Sequence, residues 1–326
     1  MSDNELRRAV WTEVRDVVGP LIGLAAVIGL FALIGTEYYL GADNLRLIAK
    51  HTIIVGLGAI GMTFVIVSGG IDLSVGSVIA LAAVVTALAF NAGAPPLLAL
   101  FAGVGAGGAC GLVNGLLITR LSITPFIATL GMLGVARGFA KYLGDNATVN
   151  SAESWLTELT TSNPEPSWLL VGPGIWLMFL LGGVMGFVLR RTPFGVHAYA
   201  VGSSEATAQL CGVPVARVKL LVYVICGLFA GLAGVMSFSD LNAGDPTTAK
   251  GEELNVIAAV VIGGASLSGG TGRVAASLIG AFLMTFLING CEDLELRNYT
   301  QDMIIGAIIV AAVALDQIRH GRTRAA

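Results

Sequence analysis

The stretch SGGIDLSVG, residues 68–76, sets a carboxylate, Asp72, two residues before a hydroxyl, Ser74, between paired glycines and an apolar run. Side chains in that order can do two things. They can cap the helix that follows, with the carboxylate near its positive end, or they can offer exchangeable hydrogen bonds to a passing polar solute. The leading reading of Asp72 is the cap. A second stretch, GGASLSGG, echoes the first. Aligning Gly69 with Gly263 matches five of eight positions, so Ser266 and Ser268 admit the same two roles. Asn114 lies inside an apolar run, where an amide can hydrogen-bond across helices. Gly69, Gly70, Asp72, Ser74, Asn114, Ser266 and Ser268 are therefore the candidate path or gate residues. The glycine pattern is not a nucleotide fingerprint, because no strand–turn–helix context surrounds it.

Other chemistries find little support. Glu37, Asp43, Glu292 and Asp293 fall near the ends of apolar stretches, and His51, His197 and His320 share no spacing with them. No carboxylate–histidine relay emerges, and none of these groups is expected near the middle of a span, which speaks against a self-powered carrier. The lysines follow Ala49, Ala140, Val218 and Ala249, so there is no Gly-Lys pair and no phosphate loop. Any ATP must be hydrolysed by another polypeptide. Cys110, Cys211, Cys226 and Cys291 are scattered, without metal-ligand spacing or a disulfide framework. Nothing points to a cofactor or a metal, and a net charge of -3 does not suggest a nucleic-acid partner.

The elements that must position these residues are membrane helices. The 326-residue chain is 55% hydrophobic and 12% charged, about half the charge of a soluble domain, and carries 44 glycines. A span needs about 20 apolar residues. Spans are expected at 17–38, 49–68, 73–91, 95–118, 124–143, 168–189, 217–238, 254–270, 273–291 and 301–318, the eighth being short and glycine-rich enough to be broken or re-entrant. With the N-terminus in the cytoplasm, twelve Lys and Arg fall inside and six outside. The expected fold is thus all-α and polytopic, with about ten spans and both termini cytoplasmic. One transmembrane domain fills 1–326, with short tails at 1–16 and 319–326 and a cytoplasmic loop at 190–216. The outside loop 144–167 holds no Lys or Arg but contains Trp155, and Trp168 follows it. It reads either as a solvated loop or as a docking surface for an extracellular partner. Arg137 and Lys141 are expected to snorkel outward.

The cytoplasmic loop has its own punctuation. Ser203 or Ser204 can cap a helix, Glu205 suits its first turn, Ala206, Thr207, Ala208 and Gln209 continue it, Gly212 stops it and Pro214 blocks extension. A helix of about two turns is marginal alone, so it must pack on something. The choices are the protein's own helix ends or a groove on a cytoplasmic partner.

TPFGVHAYAVGSSEATAQLCGVPVARVK, residues 192–219, resembles the coupling loop of sugar-type ABC importer permeases, with Gly202, Ser204, Thr207, Ala208 and Gly212 in the corresponding places. Ser204 stands where that family usually has asparagine, Thr207 where it has alanine, and Val213 where it has isoleucine. SGGIDLSVGSVIAL (68–81), NGLLITRLSITPFIATLGML (114–133) and VIGGASLSGGTGRVAASLIGAFLM (261–284) resemble three further blocks in the expected order. The chain is identified as similar to ribose/xylose-type permease subunits. The resemblance implies a homodimer in the inner membrane, a cytoplasmic ABC ATPase that grips residues 203–209 and Gly212, and a periplasmic or extracellular substrate-binding protein. It implies transport of a monosaccharide or related polyol without chemistry of the chain's own. Permeases for branched-chain amino acids or nucleosides share the GGxDLSxG theme and remain the alternative.

Overall fold

A computed structural model describes residues 3–162, 164 and 169–324 of the chain. It is mostly helical: α1 (Asp3–Ile34), α2 (Ala42–Val67), α3 (Val75–Asn91), α4 (Pro96–Arg120), α5 (Pro125–Leu143), α6 (Pro173–Arg191), α7 (Pro193–Ser203), α8 (Glu205–Leu210), α9 (Val215–Leu241), α10 (Glu252–Ile262), α11 (Val274–Asp293) and α12 (Asn298–Arg324). Two short strands, β1 (Val149–Asn150) and β2 (Ala243–Gly244), pair antiparallel.

Each predicted span falls on a helix, and among the described residues six helices are long and apolar enough to cross a membrane: α1 (through its segment Val17–Ile34), α2, α4, α6, α9 and α11. This is an all-α polytopic membrane protein. The helix α2 is the axis of the bundle, and its second half is almost wholly buried. The closest seam joins α4 and α9. Gly103, Gly107 and Gly111 of α4 meet Gly227 and Gly231 of α9, and a Cβ at Gly107 would lie 2.6 Å from the Gly231 Cα. Small residues at this spacing let two membrane helices touch along their backbones.

The eighth stretch, expected at 254–270 as short and glycine-rich enough to be broken or re-entrant, does fall short of a crossing. The helix there, α10, has 11 residues, about 16 Å of rise, roughly half of the ~30 Å hydrocarbon layer. It packs on α2 and α11. Before it, residues 245–251 fold back beside α3, where the Ala249 carbonyl lies against Gly76. Irregular backbone at that depth is tolerated where protein buries it. The reason is local: the apolar run after Glu253 is cut at Gly263 and Gly264 before a full span is complete.

The loop 144–167 is also more structured than a solvated loop. β1 is held by β2, Leu156 is fully buried, and the Thr160 hydroxyl lies 2.9 Å from that of Ser239. Glu165 and Trp168 lie outside the described residues. This ribbon marks one end of the bundle, together with the starts of α2, α4 and α6. The ends of α2, α4 and α6 and the starts of α3, α5 and α11 share the other end with α7 and α8.

Candidate functional site: a glycine junction under a short helix

The residues 192–214 fold as two helices rather than one. Thr192 caps α7 by accepting from the Gly195 N–H at 3.4 Å, and Pro193 suits its first turn. At Ser204 the backbone turns extended (φ -163°), and its hydroxyl oxygen accepts from the Thr207 N–H at 3.3 Å to begin α8. The cap is therefore Ser204. Ser203 belongs to the last turn of α7, where its hydroxyl donates to the Tyr199 carbonyl at 2.9 Å. A cap must have non-helical φ/ψ, which Ser203 does not.

The helix α8 ends as predicted. Gly212 takes φ +81°, its N–H donates to the Gln209 carbonyl and the Val213 N–H to the Ala208 carbonyl, both at 3.0 Å. Ala208 is buried against the bundle, while Ala206, Thr207 and Gln209 are exposed and Leu210 is 89% exposed. Glu205 forms an ion pair with Lys219 of α9, which pins the start of α8 to the root of a long helix.

The two glycine-rich turns lie directly behind this unit. Both stop their helix as α8 is stopped: Gly69 and Gly264 have φ +80° and +91°, with Gly70 N–H donating to the Val65 carbonyl and Ala265 N–H to the Val260 carbonyl. The turns touch each other and α7. Gly270 N–H donates to the Val67 carbonyl at 2.9 Å. A Cβ at Gly202 would fall on that same carbonyl oxygen, and a Cβ at Gly269 would lie 3.0 Å from the Cα atoms of both Gly202 and Gly69. The Tyr199 hydroxyl clamps the arrangement by donating to the Gly272 carbonyl at 2.6 Å. Three of the segments singled out in the sequence thus meet at one backbone-to-backbone junction.

Asp72, Ser74 and Asn114 are brought together one layer deeper. Asp72 Oδ1 accepts from the Ser74 N–H at 2.8 Å and from its hydroxyl at 2.6 Å, and Asn114 Nδ2 donates to the Ser74 hydroxyl at 3.1 Å. All three are buried. The capping geometry differs from expectation: Ser74 is the cap residue of α3, but its hydroxyl turns back to Asp72 and not onto the helix N–H groups. A carboxylate is the stronger acceptor, so it draws the hydroxyl hydrogen. Tyr223 and Cys226 of α9 complete the cluster, with the Tyr223 hydroxyl against Gly70 and Cys226 beside Asp72. Neither was legible, because each sits in an apolar run like any core residue. Ser266 and Ser268 stay in the second turn, where the Ser268 N–H donates to the Ser266 hydroxyl oxygen at 3.3 Å, the counterpart of the Asp72–Ser74 turn.

A second group was missed. Arg137 does not snorkel. Its guanidinium donates to the carbonyls of Pro246 (2.9 Å) and Thr248 (2.7 Å), satisfying the irregular segment ahead of α10. Glu252 and Glu253 occupy the first turn of α10, and each has a buried carboxylate oxygen, Oε2, without a hydrogen-bond partner. Neither acid was singled out in the sequence. The available signal was a pair of acids after Gly251 and ahead of an apolar run too short to cross. Among the described residues no three His, Cys, Asp or Glu gather as metal ligands would.

Known proteins resemble the chain along most of its length. The family described as branched-chain amino acid transport system / permease component matches residues 44–313. The ribose import permease protein RbsC of Bacillus subtilis is 36% identical over 321 residues, 96% of each chain. The L-arabinose ABC transporter permease protein AraH of Azospirillum brasilense is 38% identical over 287 residues, 88% of this chain and 84% of that one. The D-allose transport system permease protein AlsC of Escherichia coli (strain K12) is 34% identical over 307 residues, 93% and 92%. No solved structure matches the chain. The chain therefore belongs to this family of membrane permease components, and it stands in it beside import permeases whose names specify sugars.

Proposed function

We propose that the chain is the membrane subunit of an ABC importer that carries a monosaccharide or related polyol across the inner membrane. In this reading ten helices cross or enter the bilayer, both termini are cytoplasmic, and the α7–α8 end faces the cytoplasm. Two copies form the pathway. A separate ATPase pair grips α8, and a binding protein delivers substrate at the ribbon end. The observation that carries the reading is identity of 34–38% along most of the chain with permeases named for ribose, arabinose and allose. The exposed outer face of α8 supports the coupling role, as does the missing Gly-Lys pair.

The family description favours one other cargo, a branched-chain amino acid. The relatives named for ribose, arabinose and allose speak for a sugar instead. A self-powered carrier is disfavoured by family membership, not by a lack of buried acids.

The test is uptake into vesicles holding the chain with its ATPase and binding protein, offered labelled ribose, arabinose, allose and leucine in turn. ATP-dependent accumulation of a sugar supports the proposal. Accumulation of leucine alone, or of sugar on a proton gradient without ATPase, overturns it. Replacing Glu205 and Ala208 by bulky residues should abolish uptake and leave ATP hydrolysis uncontrolled. Normal uptake would refute the coupling role of α8.

A further inference from the structure

Glu252 and Glu253 open α10 at a depth where charge is costly. The helix rises about 16 Å from its glycine end, and Val256 packs on Gly58, well inside α2. Its first turn therefore lies near the middle of a ~30 Å hydrocarbon layer. Ionisable groups at such a depth mark solute or ion routes. The pair is supported in part. The positive end of α10 faces both carboxylates. The Arg137 guanidinium feels the charge of Glu253 and of Asp245, and Asn255, in the next turn, hydrogen-bonds the Glu252 carboxyl. Yet Oε2 of each acid is buried without a hydrogen-bond partner.

Two bare acceptors call for donors, and the nearby backbone adds further acceptors. Arg137 is committed to the carbonyls of Pro246 and Thr248. The Ala249 carbonyl and Glu253 Oε2 converge on Gly76, where a Cβ would fall on both. A metal ion finds too few ligands, since among the described residues no three His, Cys, Asp or Glu gather. An anion would be repelled by the acids. A polyhydroxylated solute brings a row of O–H donors and no charge, and hydrogen bonds to carboxylates are the strong kind. The segment is open on one side, where Thr247, Lys250 and Leu254 are exposed. Broken helices at mid-depth are where membrane carriers place substrate. We propose that Glu252 and Glu253 form a binding point for the hydroxyl groups of a crossing sugar or polyol, each Oε2 accepting one hydroxyl.

The site takes its solute from the importer reading above and adds where that solute is held. Its position also has a consequence. The far end of α10 is the Gly263–Gly264 turn, whose continuation through Gly269 lies against Gly202 of α7. One helix of 11 residues thus joins the bound solute to the glycine junction behind α8. The chemistry sets the selectivity. A site built to accept hydroxyls rejects an analogue that lacks one, because a buried carboxylate oxygen is then left unpaired.

The experiment measures uptake of labelled ribose and of 2-deoxyribose into vesicles holding the full chain with its ATPase and a binding protein saturated with either sugar. The variants are Glu252→Gln, Glu253→Gln and the two together. Glutamine keeps the shape and one acceptor but removes the charge. The same binding protein serves every variant, so its own preference cancels when a variant's ribose-to-deoxyribose ratio is divided by that of the wild type. Ribose uptake should fall at least about fivefold in each single variant, and the ratio should fall at least about threefold. Thermal unfolding of the purified variants should match the wild type. A role in packing alone would slow both sugars alike, and an unchanged ratio would overturn the site. Wild-type uptake by the double variant would do the same. If the double variant fails to fold, Glu252→Gln decides, because Glu252 takes no part in the contact with Gly76. Wild-type vesicles that accumulate no sugar would overturn the importer reading, and the site with it.

Discussion

Two turns of nearly the same spelling lie against each other in this protein, and they are built to different ends. SGGIDLSVG and GGASLSGG stop α2 and α10 with the same left-handed glycine and the same pair of backbone bonds. From there they diverge. The first runs straight into α3 and buries a carboxylate, whose two bonds to Ser74 and neighbour Asn114 make it a polar knot inside the bundle. The second has a serine where the first has Asp72, and it takes a longer course through Gly269, Gly270 and Gly272, all at positive φ, before α11 begins. Its contacts are made by backbone. The lesson is that one helix-ending device serves both a fixed anchor and a close-fitting junction, and that the side chain after the glycines decides which.

That contrast can be broken or sharpened by substitution, beginning where the largest effect is expected. Gly202→Val puts a side chain onto the Val67 carbonyl at the point where both turns meet α7. It should cost at least about 3 kcal/mol through overpacking of backbone and eliminate uptake. Thermal unfolding of the purified chain checks it, and wild-type stability would show that the junction is not close-packed. Asp72→Leu removes an acceptor from two buried donors and should cost about 2–3 kcal/mol, against about 1 kcal/mol for Ser266→Ala in the sister turn. Equal losses would erase the distinction between anchor and junction. Asp72→Asn keeps the Oδ1 acceptor and should stay within about 1 kcal/mol of wild type. If it folds normally but stops uptake, Asp72 belongs to the path and not to the anchor.

Smaller effects are expected at the exposed helix. Ser204→Ala removes the α8 cap and should cost about 1 kcal/mol, seen as faster amide exchange confined to residues 205–210. Glu205→Gln breaks an ion pair whose Glu205 side chain is 55% exposed, so a stability loss of only about 0.2–1 kcal/mol is expected, read from the same unfolding curves. A larger loss would mean that Lys219 holds α8 as firmly as the glycine junction does.

Much of this was readable from residue order. The Gly212 stop is local chemistry, as are the Ser204 alternative for the cap and the glycine ends of the two turns. What was misread shares one cause. Arg137 reads as a snorkelling residue because nothing near it in sequence shows that residues 246 and 248 bring it unpaired carbonyls. Tyr223 and Cys226 cannot be told from packing residues until Asp72 is placed beside them.

Composition and helix punctuation by themselves determined that this is a helical membrane protein, where most of its helices stop, and that it has no phosphate loop of its own. Those properties depend on neighbours within a few residues, through hydrogen-bond rings and caps. Only the tertiary structure decided that residues 69, 202 and 269 touch, that Glu252 and Glu253 each bury one carboxylate oxygen, and that three arginines share a cavity with a glycine trough. Each of these joins segments far apart in the chain, and such contacts arise from how helices pack and not from any local preference.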